Sequence, residues 1–308
     1  MGSRRTRGVT SANWDDLKVF LAVARAGSLV GAAKAVGQTQ PTMGRRLYAL
    51  EEAVGSGAVK HWFFLRYADP EHHLRLRFHG EPGRLDTEVW PRVRAACAAA
   101  LDEGQGWRVQ LDTYEREVER YGGDEGVELA EALFQADSEA VLALLRTQGP
   151  EEGALRWRLT LKGMDLMLDD LGFSLEEKLA IVSRARAGFG AEFRVNKAFE
   201  AQLSERFRRE SRGLETLLWG APQPEEVWAP GLLALRRRGQ TSRSGVERLR
   251  EAAGAGRLTL SLEVLADSYL HLHANRMLPS EQRPQELILH DFLTRLYRSR
   301  RARIRKGT

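Results

Sequence analysis

The sequence predicts an α+β fold: a small antiparallel sheet followed by many helices, with a short all-α helix-turn-helix segment in front. Three observations carry this. Alternating apolar and polar residues cluster between Trp62 and Tyr114, helical periodicity dominates the rest of the chain, and residues 14–55 break into short helices at Gly27-Ser28 and Gly37. The chain reads as two parts, residues 1–56 and residues 62–305.

Residues 14–26, WDDLKVFLAVARA, place Leu17, Phe20, Leu21 and Ala24 at helical spacing. Ser28 caps a second helix over Leu29–Val36, whose Gly31, Ala32, Ala33 and Ala35 allow close helix approach. Gly37 stops it, and Thr39 caps a third helix that tolerates Pro41 in its first turn and ends at Gly55. Two short helices joined by a Gly-containing turn form the pattern of a DNA-binding helix-turn-helix.

From Trp62 the pattern changes. WFFLRYAD reads as a strand ended by Asp69-Pro70. In HLRLRFH, Leu74, Leu76 and Phe78 alternate with Arg75, Arg77 and His79, so two arginines share one strand face. Such a pair can clamp a carboxylate through bidentate guanidinium contacts, and a solvated polar face satisfies the same alternation. A helix follows over residues 84–101, then a second alternating stretch, WRVQLDTY, over residues 107–114. Gly122-Gly123 permits a tight turn. Helices are expected at 125–135 and 137–147, the latter stopped by Gly149-Pro150, and Ser174 with Glu177 forms a capping box for a helix to about Ala187. Residues 220–231, with three prolines, read as a loop, and helices at 242–253, 258–278 and 285–303 complete the chain.

On the 258–278 helix, Asp267, His271 and Asn275 recur at four-residue steps, apart from the apolar stripe of Leu258, Leu262, Leu265, Tyr269 and Leu272. Asp267 is placed to orient the His271 imidazole, and a histidine so held can move protons near neutral pH. A purely structural histidine fits the same spacing. His271 and His273 do not face each other on a helix, so this pair does not suggest a metal site.

Composition narrows the function classes. The 308 residues are 43% hydrophobic and 29% charged, as in soluble globular chains. Cys97 is the only cysteine, which excludes an internal disulfide framework or a cysteine-rich zinc site and fits a cytoplasmic location. No apolar run reaches the ~20 residues of a membrane span, and the basic N-terminus lacks the apolar core of a secretory signal. The net charge of +5 concentrates at Arg4, Arg5 and Arg7, at Arg236–Arg238, and at the end, RLYRSRRARIRKGT. Basic ends can meet nucleic acid or an acidic peptide, or only aid solubility.

Two resemblances sharpen these readings. FLAVARAGSLVGAAKAVGQTQPTMGRRLYALEEAVG resembles the DNA-binding region of LysR-type transcriptional regulators. It implies that Gln40, Pro41, Thr42, Gly44 and Arg45 face the major groove and that Arg46 meets phosphate. Gly44 stands where that family usually has serine, and the wing and dimerising helix do not follow. WFFLRYADPEHHLRLRFHG, QLDTYEREVERYGG, ALFQADSEAVLALL, DDLGFSLEEKLAIVSRARAGF and HLHANRML resemble the glutamate-elimination domain of lantibiotic dehydratases, also called the thiopeptide-type bacteriocin biosynthesis domain.

The second resemblance implies a lyase that removes glutamate from glutamylated Ser or Thr of a precursor peptide, leaving dehydroalanine or dehydrobutyrine. By motif, Arg75 and Arg77 would hold the glutamyl group, Glu117 and Arg120 would complete that site, and His271 would handle the proton, with His273 a substitute. No metal or organic cofactor is implied. The implied partners are the glutamylated precursor peptide and a separate tRNA-dependent glutamyl-transfer protein, with DNA a further partner through residues 14–55 and no membrane. The usual first strand and helix of the family give way here to the helix-turn-helix, which predicts an unpaired sheet edge. A transcription regulator with a peptide-sensing domain and a pyridine-forming cycloaddition enzyme of thiopeptide pathways are the alternatives.

Overall fold

The computed structural model describes residues 57–67, 72–102, 108–147, 153–220 and 228–307. The helix-turn-helix expected over residues 14–55, with Gln40, Pro41, Thr42, Arg45 and Arg46, lies outside the described residues, as does the Asp69-Pro70 turn. Two strands, β1 (Val59–Tyr67) and β2 (His73–Gly80), pair as a two-stranded sheet, and helices follow, as the α+β reading expects. The chain divides into two compact units, Met1–Lys60 with Phe78–Asp112, and His61–Arg77 with Thr113–Thr308.

In the first unit, Glu81 opens the helical region by accepting the N–H groups of Gly83 and Arg84, with Pro82 in the first turn. One turn (Pro82–Arg84) and a π-helical turn (Leu85–Val89) lead into α1 (Trp90–Asp102), so the helix expected at 84–101 is present but irregular at its start. The strand expected at 107–114 does not form: residues 108–114 carry no regular structure, and Leu111 is 69% exposed. Alternation marks a face that could be covered, but a strand also needs a neighbour for its backbone groups, and the described sheet has only two strands.

The second unit holds α2 (Asp124–Thr147), α3 (Gly153–Asp170), α4 (Leu175–Glu192), α5 (Lys197–Trp219), α6 (Ala229–Gly254), α7 (Leu262–Met277) and α8 (Gln282–Lys306). The YGG turn before α2 is as expected, with Gly122 at φ 87° and Gly123 at φ 95°, where a Cβ would be strained. Instead of two helices at 125–135 and 137–147 there is one, because Ala136, Asp137 and Ser138 carry no breaker and are all buried. The Ser174/Glu177 capping box opens α4 as predicted. Helix α6 starts well before the expected 242, since Leu232, Leu235, Arg238, Ser242, Val246 and Leu249 continue one buried face through the arginine run. Helix α6 packs on α2 and α3, α7 on α3, and α8 on α4.

Strand β1 buries Trp62 to Arg66 without alternation, so both its faces are covered. Its backbone is closed by side chains from helices. The Phe64 N–H donates to Ser138 Oγ of α2 at 3.3 Å, and the Phe64 carbonyl accepts Arg276 Nε of α7 at 2.9 Å. Two residues on, the Asn275 amide brackets Arg66: the Arg66 N–H donates to Asn275 Oδ1 at 2.8 Å, and Asn275 Nδ2 donates to the Arg66 carbonyl at 2.6 Å. Backbone groups of residues 64 and 66 lie on one strand edge. At these positions the edge expected to be unpaired is satisfied by amide, hydroxyl and guanidinium groups standing in for a strand.

Replacing Asn275 with Ala removes both bonds to Arg66 in a part-buried setting. The expected loss is about 2–6 kcal/mol, from two backbone groups left without partners at about 1–3 kcal/mol each. The urea midpoint of the full chain measures it, and Asn275→Asp, which can still accept but not donate, should fall between.

Candidate active site

The polar residues expected to act together come from three segments of the second unit. Arg75 and Arg77 lie on β2, Glu117 and Arg120 lie on the turn before α2, and His271 lies on α7. The first four share a set of tyrosines. The Arg75 guanidinium stacks on the Tyr67 ring at 3.8 Å, Arg77 lies over Tyr114 at 5.0 Å, and Arg120 lies over Tyr121 at 5.6 Å. Tyr67 lies close enough to be felt electrostatically by Arg120 and by Tyr121, and Tyr114 by Glu117 and Tyr121, which marks the four polar residues as neighbours. Cation–π contact fixes a guanidinium plane without consuming its N–H donors.

Those donors are largely open. Arg75 uses only Nε, donating to His73 Nε2 at 3.1 Å, and His73 itself stacks on Tyr67. Arg120 donates to Glu117 at 2.8 Å. Arg77 has no hydrogen-bond or ion-pair partner among the described residues, although its Nε is buried. A buried guanidinium nitrogen without an acceptor is costly, and an anion is the acceptor that suits it best.

The tyrosines are held from behind. Glu131 of α2, buried, takes both Arg116 Nε and Nη2 at 2.9 Å and accepts the Tyr114 hydroxyl. Burial pushes the Tyr121 phenol up to about 12, so it stays neutral, and its ring stacks on Tyr269 of α7. Neither the tyrosines nor Glu131 is marked by the sequence motif reading. Their signal is the recurrence of Tyr67, Tyr114 and Tyr121 inside the same motifs that carry the arginines.

Below this layer lies a buried charged knot. Asp137 of α2 accepts His273 Nδ1 at 2.7 Å and Arg238 Nη1 at 3.0 Å on one oxygen, and Arg276 Nη1 at 3.1 Å on the other. Burial alone would push the Asp137 carboxyl up, but His273 and the two arginines outweigh it and hold it well below the usual range. Burial pushes His273 down, so the imidazole is neutral and donates to Asp137. Its Nε2 abuts Gly163 of α3, where an added Cβ would come within 2.1 Å. His273 is 0% exposed, and its Nε2 has no hydrogen-bond partner among the described residues. A cavity of about 10 Å³, room for one water, lies against Asp137, Arg276 and Tyr269.

His271, two residues from both Tyr269 and His273, points to the other side of α7. Its Nδ1 lies 2.9 and 3.0 Å from the two carboxylate oxygens of Glu286 of α8. The carboxylate expected to orient it, Asp267, is instead bound by Arg184 at 2.8 and 3.1 Å. No hydrogen bond or ion pair among the described residues joins His271 to Arg75, Arg77, Glu117 or Arg120. The connection is through Asn275, one turn further along α7, which brackets Arg66 beside Tyr67 and so fixes the helix to the strand that carries the Arg75 platform. Glu286 was invisible to the sequence reading because its partner lies on a different helix.

These features define a helical domain with an arginine-lined polar site, and its family follows from known proteins. The profile described as "Lantibiotic biosynthesis dehydratase C-term" matches residues 38–297, and the chain belongs to that family. The profile "Bacterial regulatory helix-turn-helix protein, lysR family" matches residues 14–57 and so overlaps the first at residues 38–57. The subtilin biosynthesis protein SpaB of Bacillus subtilis is 32% identical over 127 residues, 41% of this chain and 12% of SpaB. The nisin biosynthesis protein NisB of Lactococcus lactis subsp. lactis is 38% identical over 87 residues, 27% of this chain and 8% of NisB. The chain therefore aligns with only a small part of the length of these relatives. In fold it is similar to the tRNA-dependent lantibiotic dehydratase MibB from Microbispora sp. 107891, with a TM-score of 0.66 and 24% identity over 83% of this chain and 26% of that one. It is also similar to TsrL, with a TM-score of 0.50 and 17% identity over 93% and 92%. Among the described residues no helix is long and apolar enough to cross a membrane.

His290 of α8 gives a pH prediction. It is buried, stacked on Phe189, and burial first, with His271 beside it second, pushes its pKa to about 3. The unfolded chain binds a proton near 6.5 that the folded chain refuses, so stability present above about 6.5 is lost as pH falls toward about 3. Urea unfolding between pH 7 and 4 should show this slope, and His290→Phe should flatten it.

Proposed function

We propose that the chain is a glutamate-eliminating lyase, the split elimination component of a lantibiotic-type dehydratase, acting on a precursor peptide whose Ser or Thr has been glutamylated by a separate tRNA-dependent protein. The observation that carries the reading is the open arginine set. Arg75 and Arg77 on one strand, with Arg120 beside them, present guanidinium donors on tyrosine platforms and have few acceptors of their own. Family membership supports the reaction class.

In the proposed step, His271 takes the peptide α-proton. The C–H electron pair forms the Cα=Cβ double bond, the Cβ–O bond breaks, and the glutamyl carboxylate leaves with that pair. Arg75 and Arg77 hold the glutamyl group before and after, and Arg77 with Arg120 offsets the negative charge that grows on the leaving oxygens. Glu117 fixes Arg120 by their 2.8 Å bond. The products are dehydroalanine or dehydrobutyrine and glutamate, and every atom comes from the substrate and these side chains.

A synthetic peptide bearing an O-glutamyl serine, followed by mass spectrometry, tests this. Glutamate loss is expected with the full chain. Arg77→Ala should slow it by about 10²–10³-fold, the usual cost of removing one charge-stabilising donor. An intact ester with the full chain would sink the proposal.

A second reading rests on the match of residues 14–57 to the helix-turn-helix family. It proposes DNA contact through Gln40, Pro41, Thr42, Arg45 and Arg46. A gel shift on the neighbouring promoter, weakened by Arg45→Ala and steeply salt-dependent, is the expected outcome. Equal binding to any duplex would leave only nonspecific charge.

A further inference from the structure

We infer that Glu286 is the positioning residue of the proton-handling group: it fixes His271 as the Nδ1–H tautomer, so that Nε2 is the nitrogen that takes the substrate proton. The inference rests on the elimination reading above.

The geometry is specific. Glu286 sits in the second turn of α8, just after the left-handed Glu281 at φ 49° redirects the chain out of α7. Its side chain is 0% exposed, and both its oxygens address one atom, His271 Nδ1, at 3.0 and 2.9 Å. No other hydrogen bond to Glu286 exists among the described residues. An ionised carboxylate can only accept, so the proton between the two groups belongs to Nδ1. In a neutral imidazole the other nitrogen then carries the lone pair. The side chain of His271 is 29% exposed while its Nδ1 edge is turned inward, and Nε2 has no partner among the described residues.

The surroundings admit no rival orienting group. Asp267, one turn before His271, is held by Arg184. His290, next to Glu286 on α8, is fully buried, neutral at ordinary pH and stacked on Phe189, so it closes the inner side and adds no charge. Arg283 donates to Glu192 and lies over Phe189, and it acts on Glu286 only through space, without a hydrogen bond. A carboxylate with no solvent contact, whose only hydrogen-bond partner among the described residues is a part-exposed histidine, serves that histidine.

The first test is 15N NMR of histidine-labelled full chain, with the signal assigned by His271→Gln. In its neutral form the wild-type His271 imidazole should show a protonated Nδ1 and a bare Nε2, and Glu286→Met, close in volume, should shift it toward the Nε2–H form that an unconstrained imidazole favours. A wild type whose neutral imidazole carries its proton on Nε2 overturns the inference, and this arm needs no substrate. The second arm uses the O-glutamyl-serine peptide. Glu286→Gln should lower kcat about 10- to 100-fold, part of the 10²–10⁴ that a positioned base supplies, with KM within twofold. An unchanged kcat, or a loss confined to KM, contradicts the positioning role. Should the wild type leave the peptide intact, the elimination reading falls, and the NMR arm still decides what Glu286 does to His271.

Discussion

The buried carboxylate of Asp137 constrains the rest of the second unit. Three donors from two other helices converge on it: Arg238 from α6, and His273 and Arg276 from α7. A charge with no solvent contact is tolerable only when it is paired and hydrogen-bonded, so the helices have little freedom to slide. The same arginines reach outward. Arg276 also donates to the Phe64 carbonyl of β1, and Arg238 to the Gly163 carbonyl of α3 at 2.8 Å. One carboxylate thus sets the mutual placement of five elements: α2, α6, α7 and, through Arg276 and Arg238, β1 and α3. The tyrosine platforms depend on that placement, because Tyr121 and Tyr269 stack directly beside Arg276 and Phe134.

This arrangement divides the labour of HLHANR. His271 faces Glu286 on one side of α7, while His273 and Arg276 lie in the knot and Asn275 brackets β1. The motif thus places one part-exposed histidine on one side of the helix and three anchoring residues, His273, Asn275 and Arg276, on the others. ADS in α2 is the counterpart: Asp137 ties Arg276, and the neighbouring Ser138 closes the Phe64 N–H. A strand edge covered in this way has no need of a further strand at those positions.

Local signals were the legible ones. The strand of HLRLRFH, the glycine turn at Gly122-Gly123 and the Ser174 capping box each depend on adjacent residues, and each forms, although residues 73–78 of the strand are all half-buried rather than alternating in burial. The same reasoning failed where a distant partner decides. WRVQLDTY alternates as well as HLRLRFH does but has no described strand to pair with. Two helices were expected at 125–135 and 137–147, yet the Asp137 and Ser138 side chains are occupied by α7 and β1 and the helix runs through unbroken. In the site, arginine pairs are visible in sequence, whereas their tyrosine supports and Glu286 are visible only in three dimensions. Asp267 was the orienting carboxylate that sequence spacing favoured, and Arg184, 83 residues away in the chain, removes it from that role.

The central claim is that Asp137 and Arg276 act as one unit. A double-mutant cycle with Asp137→Asn and Arg276→Met, read by urea unfolding of the full chain, tests it most directly. The account predicts a coupling of about 2 kcal/mol or more, at the upper end for contacting charged residues. Losses that add to within about 0.5 kcal/mol would show two independent sites and contradict it.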